Sequence, residues 1–471
     1  MRNLQTTMKK LKGVTPFQLS YLLRRETDPK RAFQLFLNPN ADPDPNPKPF
    51  HYSLLSYDLT ITKLGKAKLF DELEQILSKL KLETRFTPTE IIFCNIIAFY
   101  SRARLPDKAL QVFDEIPSFK CLRTVKSWNT LLNGLLICRE FDKMRKIFLG
   151  MDQFTCPDTC TYNIMINTCR VQNDLDGAQK MFDEMRKRAL EPTAVTFSTL
   201  IAGLCTNLKL QEAFKLKRDM TKIYKVTPNV HVYTSLIRGL CEVQDLSLAF
   251  ELKNEMLERN IKLDSAIYTT LISGLFKLGR KDEVHEVLEE MKKAGCHPET
   301  ETYNALIAGF CGQKQFDLAL EFLNEMELQG KKPDVISYNV LIRAYCEDGK
   351  FRDAIELFED MPRRGCKPDV VSYRILVHGL FHGLQLTEAA FILDEMIFKG
   401  YAPYPSTVNQ LMRLLHKEGN LELFFEVLSS LARGNFINAD SWALAIGTIP
   451  RKCEHVVLED LFDMLTASYA E

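Results

Sequence analysis

Two octapeptides stand one period apart in this chain: Lys332-Pro333-Asp334-Val335-Ile336-Ser337-Tyr338-Asn339, and Lys367-Pro368-Asp369-Val370-Val371-Ser372-Tyr373-Arg374. They differ only in an Ile-to-Val exchange and in the last residue. Aligned on this octamer, the chain breaks into units of about 35 residues, a spacing that marks a stack of repeats. The units begin at Leu54, Glu90, Val125, Thr159, Ala194, Val230, Ser265, Thr300, Val335, Val370 and Pro405. Nothing else in the sequence restricts the fold as strongly, because a unit this short cannot bury its own apolar face and must stack on its neighbours.

Each unit reads as two helices. In the unit from Val335, the residues Tyr338, Leu341, Ile342 and Tyr345 recur at i, i+3, i+4 and i+7, one apolar helical face. Gly349 supplies a residue tolerant of positive φ that ends this helix. Ala354, Leu357, Phe358 and Met361 form the apolar face of a second helix, closed by Gly365. Pro368 bars helical continuation, and Asp369 is suited to cap the next helix. Ala at positions 109, 178, 213, 249, 319, 354 and 389 lets the two helices of a unit approach closely. The expected fold is all-α, an α-solenoid superhelix of about 11 helical hairpins.

The remaining segments take their places around this array of residues 54–439. Residues 1–25 carry Arg2, Lys9, Lys10, Lys12, Arg24 and Arg25 and no acid, a composition compatible with an organellar leader. A short transit segment is assigned to residues 1–13. Residues 14–53 read as a degenerate N-terminal repeat followed by the Pro-rich linker Asn38 to Pro49. Residues 440–471, with Trp442, Leu444 and Ile446, read as divergent C-terminal capping helices.

Charge and cysteine content narrow the chemistry. Lys plus Arg and Asp plus Glu both number 61, so a polyanionic partner would need a local groove rather than a basic surface. No apolar run approaches the roughly 20 residues that span a bilayer, and no membrane partner is expected. The 13 cysteines include no CxxC. Cys205, Cys241, Cys311 and Cys346 fall at one phase of the repeat and read as small apolar packing residues.

The units from Val125 to Asp369, with Tyr303-Asn304, Tyr338-Asn339 and the endings Lys332-Pro333-Asp334 and Lys367-Pro368-Asp369, resemble pentatricopeptide repeats. The uniform spacing is similar to that of the P-type subclass. Tetratricopeptide repeats are the nearest rival, but the second-helix column Met185, Met220, Met256, Met291, Met326, Met361 and Met396 fits them less well. The resemblance implies a plant organellar protein that binds single-stranded RNA, one base per unit, without a cofactor. It further implies base recognition by the fifth and last residues of each unit. Those pairs are Asn129 with Asp158, Asn163 with Thr193, Ser198 with Asn229, Thr234 with Asp264, Thr269 with Glu299, Asn304 with Asp334, and Asn339 with Asp369. The family's pairing preferences give 5′-U-(C/U)-A-G-N-U-U-3′, with the N-terminal units at the 5′ end. Localisation is expected in mitochondria, with chloroplasts the alternative.

The residues support part of this reading. Asn, Ser and Thr are indifferent helix formers, yet they alone occupy the fifth position of seven successive units. Their short side chains carry donor and acceptor together, which suits a base edge. Local hydrogen bonding at the helix start is the competing explanation, and the last-residue set is equally explained by N-capping. Asp58 with Thr89, Cys94 with Thr124, Arg374 with Tyr404 and Asn409 with Ala439 fall off the pattern. A long cation at Arg374 would hold a phosphate or be solvated.

In the family the second residue of a unit clamps bases. Val195 and Ile336 conform, Ala266 is small, and Lys126, Cys160, His231 and Glu301 depart from it. Of the lysines that contact the backbone, only Lys277 remains. No enzyme is expected: His416-Lys417-Glu418 gives the HxE of a zinc deaminase, but no CxxC follows. His378 and His382, one helical turn apart, lack an evident third metal ligand. The alternative to RNA binding is a protein-binding scaffold, for example on the mitochondrial ribosome.

Overall fold

The computed structural model describes residues 14–39 and 50–437. The expected leader, most of the Pro-rich linker and the expected capping helices of residues 440–471 lie outside them. All regular structure among the described residues is helical. The chain divides into two compact units, Met1–Val232 and Tyr233–Glu471, with the boundary inside helix Val230–Glu242.

In the first unit, helices Pro16–Arg25 and Pro29–Leu37 precede the array. Hairpins follow: Leu54–Ala67 with Phe70–Lys81, Glu90–Arg102 with Pro106–Glu115, Val125–Cys138 with Phe141–Met151, Thr159–Val171 with Leu175–Lys187, and Ala194–Thr206 with Leu210–Lys222. The second unit holds Leu246–Glu258, then Ser265–Lys277 with Asp282–Lys293, Thr300–Gly312 with Phe316–Leu328, and Val335–Glu347 with Phe351–Arg363. Val370–His382 with Leu386–Phe398 and Pro405–Glu418 with Leu421–Arg433 complete it. Every first helix starts at the residue where the sequence period starts. Within each unit, first helices pack on their own second helix and on the first helix of the next hairpin.

Side-chain volume at fixed phases explains the regularity. The fourth residue of most hairpins is a large aromatic, as at Tyr162, Phe197, Tyr268, Tyr303, Tyr338 and Tyr373, buried to within a few per cent. The second helix supplies the methionine column Met185, Met220, Met256, Met291, Met326, Met361 and Met396, fully buried in every case. Burying such side chains contributes about 2 kcal/mol each, summed over repeats that share interfaces. The phased cysteines join this core. Burial pushes the thiols of Cys205 and Cys311 up to about 12 and those of Cys241 and Cys346 up to about 11, so they stay protonated and inert.

The turn between the two helices demands a left-handed residue. Gly349 provides it at φ 77°. At the same phase in other hairpins stand Leu208, Lys314 and Leu384, with φ of 58°, 58° and 59°. Glycine at this phase is therefore a preference of the sequence, not a requirement of the fold, and packing holds the strained residues in place.

Buried tyrosine hydroxyls need partners, and a glutamate 22 residues on usually supplies one. Tyr162 donates to Glu184 at 2.9 Å, Tyr233 to Glu255 at 3.0 Å and Tyr373 to Glu395 at 2.7 Å. In the Val335 hairpin the equivalent residue is Asp360, one methylene shorter and ion-paired with Arg364. The Tyr338 hydroxyl is left buried without a partner. Burial raises its pKa to about 12, so it remains a donor. Asp360→Glu is expected to reach Tyr338 and stabilise the protein by about 1 kcal/mol, read as a higher urea midpoint; an unchanged or lower midpoint contradicts this account.

Candidate nucleic-acid interface

The expected base-reading residues lie on the first helices and at the caps that follow them. Asp158 caps helix Thr159–Val171 by accepting from Thr161 N at 2.8 Å. Asp334 caps Val335–Glu347 by accepting from Ser337 N at 2.9 Å, and Asp369 caps Val370–His382 by accepting from Ser372 N at 2.9 Å. Asp264 and Asn229 cap in the same way, through Ile267 N and Val232 N, both at 3.1 Å. Capping is therefore a function of the last-residue column whether or not RNA is present.

The fifth-residue column is tied to these caps. Asn129 Nδ2 donates to Asp158 Oδ1 at 3.0 Å, and Asn304 Nδ2 donates to Asp334 Oδ1 at 3.3 Å. Asn163 Nδ2 stands 3.5 Å from Thr193 Oγ1. The third helical residue of the next hairpin completes each junction. Thr161 Oγ1 donates to Asn129 Oδ1 at 2.7 Å, Thr196 Oγ1 to Asn163 Oδ1 at 2.6 Å, and Ser337 Oγ to Asn304 Oδ1 at 2.6 Å. These hydroxyl residues are fully buried. A three-residue hydrogen-bonded junction thus fixes the orientation of each amide. Sequence reasoning missed the third member, although its signal was present: a Ser or Thr three residues after the cap, as in Asp334 and Ser337.

Other pairs differ. Ser198 returns its hydroxyl to Val195 O at 3.0 Å, and Thr269 meets Thr302 Oγ1 at 2.8 Å. The cap backbone at Glu299 donates to Thr302 Oγ1 at 3.3 Å. Although burial opposes it, hydrogen bonds from Thr161 and Asn129 hold the Asp158 carboxyl below the usual carboxylate range.

Asn339 is the exception that leaves an acceptor open. Ser372 Oγ donates to Asp369 Oδ1 at 3.1 Å, and Asn339 Oδ1 is buried without a hydrogen-bond partner. It borders an open groove of about 480 Å³ lined also by Ile336, Val371, Ile375 and Arg343. Ile336 and Val371 occupy the second position of successive hairpins and are 60 % and 42 % exposed. Val195, the other expected clamp, is 56 % exposed. Leu55 and Ile91 are also exposed apolar residues at this phase. Leu55, Ile91 and Val371 were not singled out from the sequence, though all three were visible there at the second position.

Two cations have intramolecular partners. The half-buried Arg374 guanidinium donates to Ala402 O at 2.7 and 3.0 Å and lies 4.2 Å from the centroid of the Tyr404 ring. The fifth and last residues of this hairpin thus still contact each other, through stacking in place of an amide–carboxylate bond. Lys277 is ion-paired with Glu242 at 2.6 Å.

The junction makes a stability prediction. Ser337→Ala strips Asn304 Oδ1 of its donor and the Asp334 amide of its acceptor, which is expected to cost about 1–3 kcal/mol. Urea denaturation measures this; a loss below a few tenths of a kcal/mol contradicts a structural role for the hydroxyl.

The repeats match known ones. Residues 157–206, 192–242, 228–266, 263–311, 298–347 and 333–382 match the PPR repeat family. Residues 91–121, 126–156 and 371–401 match the PPR repeat. A putative pentatricopeptide repeat-containing protein of Arabidopsis thaliana is 50% identical over 225 residues, 48% of this chain and 48% of the relative. A mitochondrial pentatricopeptide repeat-containing protein of the same plant is 33% identical over 144 residues, 30% of this chain and 36% of its own length. The Arabidopsis thaliana small ribosomal subunit protein mL103 (rPPR7) is 26% identical over 203 residues, 42% of this chain and 48% of its length. The chain spans about half or less of the length of these curated relatives. The crystal structure of the pentatricopeptide repeat protein PPR10 from maize covers 99% of this chain and 75% of that chain, at 19% identity and TM-score 0.49. The matched repeats together cover more than half of the sequence, and the chain belongs to the pentatricopeptide repeat family.

Proposed function

We propose that this protein binds single-stranded RNA, one base per hairpin, through the fifth and last residues of the seven hairpins that begin at Val125 and end at Asp369. The observation that carries this reading is the groove at Asn339. An amide oxygen buried without a partner is costly unless something fills it. A base entering between Ile336 and Val371 would stack on apolar walls and present its edge to Asn339. An Asn amide offers an acceptor beside a donor, which matches the alternating donor and acceptor of a uracil edge. At Asn129, Asn163 and Asn304 the carbonyl is already engaged, and the amide's second N–H is the group left to meet a base. The proposed string is 5′-U-(C/U)-A-G-N-U-U-3′, with Thr269 and Glu299 facing the open base. The role would lie in organellar RNA stability, splicing, processing or translation, without catalysis by this chain.

A second reading, a protein-binding scaffold on the mitochondrial ribosome, is favoured by one feature. Lys277 is neutralised by Glu242, and Glu301 is exposed at a second position, so the first helices offer little phosphate attraction there. The acid-poor residues 1–25 and the mitochondrial names of relatives support import into mitochondria. A reporter fused to residues 1–60 should enter the organelle, and a diffuse cytosolic signal contradicts this.

The base assignment is tested at Asn339. Asn339→Thr keeps Asp369 as cap and introduces a side chain already present at this phase in Thr234 and Thr269. The expected loss of discrimination is about 1–3 kcal/mol, or roughly ten- to a hundredfold in relative affinity. Two RNAs differing only in the final base of the string, U or G, are competed against each other. Wild type should prefer U and the variant should lose or reverse that preference. Identical ranking by both proteins contradicts the assignment, and no RNA binding at low salt favours the scaffold.

A further inference from the structure

Helix Val370–His382 carries a stripe that the base-reading scheme leaves unused. Val371 and Ile375 line the groove beside Asn339, and at the same helical spacing the stripe continues to His378 and His382, both exposed. The sequence holds eight histidines, and no other two are as close as four residues. The Nε2 atoms of His378 and His382 lie 3.1 Å apart, with ring centroids at 4.3 Å. The Phe381 ring meets His382 at 5.1 Å and limits the positions that imidazole can take.

Two imidazoles with their outer nitrogens this close either share one proton or aim both lone pairs at one cation. Bonds of about 2.0–2.1 Å from each nitrogen to a metal, at angles between square-planar and tetrahedral, place the nitrogens about 3 Å apart. Helical histidines at i and i+4 are the arrangement that zinc-binding helices use. We propose that His378 and His382 chelate a late first-row divalent cation of the Zn²⁺ and Ni²⁺ class. No group of three or more His, Cys, Asp or Glu is arranged for a metal among the described residues. The cation would therefore keep at least two positions open to water or an anionic oxygen. This inference does not depend on the RNA reading.

The test is calorimetric titration of the tag-free, full-length, reduced protein with Ni²⁺. The same titration is run on His378→Ala, His382→Ala and the control His416→Ala, with His378→Gln and His382→Gln as bulk-preserving versions. Wild type and the control should bind one ion alike. Each single substitution of the pair should weaken binding by about tenfold or more, with the helical circular dichroism unchanged. Absence of Ni²⁺ binding by wild type, or wild-type affinity in the pair variants, shows a histidine–histidine hydrogen bond only and overturns the proposal.

Discussion

The junction between one hairpin and the next is the constraint on which the rest of the molecule depends. No hairpin can bury its own aromatic and methionine columns, so every unit borrows its neighbour's surface. Apolar contact alone is non-directional and tolerates sliding. The hydrogen bonds among the fifth residue, the following cap and the third helical residue are directional. Asn304, Asp334 and Ser337 form one such set, with an inter-hairpin bond of 2.6 Å from a fully buried hydroxyl. Packing supplies the energy of stacking; the junction sets its register.

That arrangement changes the question asked of the base-reading columns. The same side chains that would meet a base also join the hairpins, so their residue types are constrained twice. Asp158 and Asp334 serve as caps, and Asn129 and Asn304 receive the buried hydroxyl. Capping does not exclude the proposed recognition, because the cap would hold the amide at a fixed angle before any ligand arrives. Such preorganisation lowers the entropy that binding must overcome. Asn339 shows the complement: Ser372 bonds its cap Asp369, as Ser337 does Asp334, but makes no bond to the Asn339 carbonyl, which is buried without a partner beside the groove.

Much of the fold was legible in the sequence for a physical reason. Helix starts are written in local chemistry, in caps such as Asp334 and Asp369 preceded by Pro333 and Pro368, and the structure begins each first helix where the period begins. Turns were less legible. Leu208 and Leu384 adopt a left-handed conformation that their side chains disfavour, and only tertiary packing imposes it. The site was partly legible. Phase alone named the fifth and last residues but not the direction in which a long side chain would turn. Arg374 folds back onto Tyr404 and Ala402, and Lys277 turns to Glu242, choices that depend on neighbours about 30 residues away in sequence and adjacent in space. The unpartnered Tyr338 hydroxyl follows from a Glu-to-Asp change whose effect shows only when the two helices are docked.

Crosslinking the native protein to RNA in intact cells, followed by purification and sequencing of the bound fragments, tests the central claim most directly. The account predicts that recovered messenger or precursor fragments are single-stranded and centre on 5′-U-(C/U)-A-G-N-U-U-3′. Recovery of no RNA, or of ribosomal RNA alone without that string, would contradict base reading by these hairpins and leave the protein a scaffold.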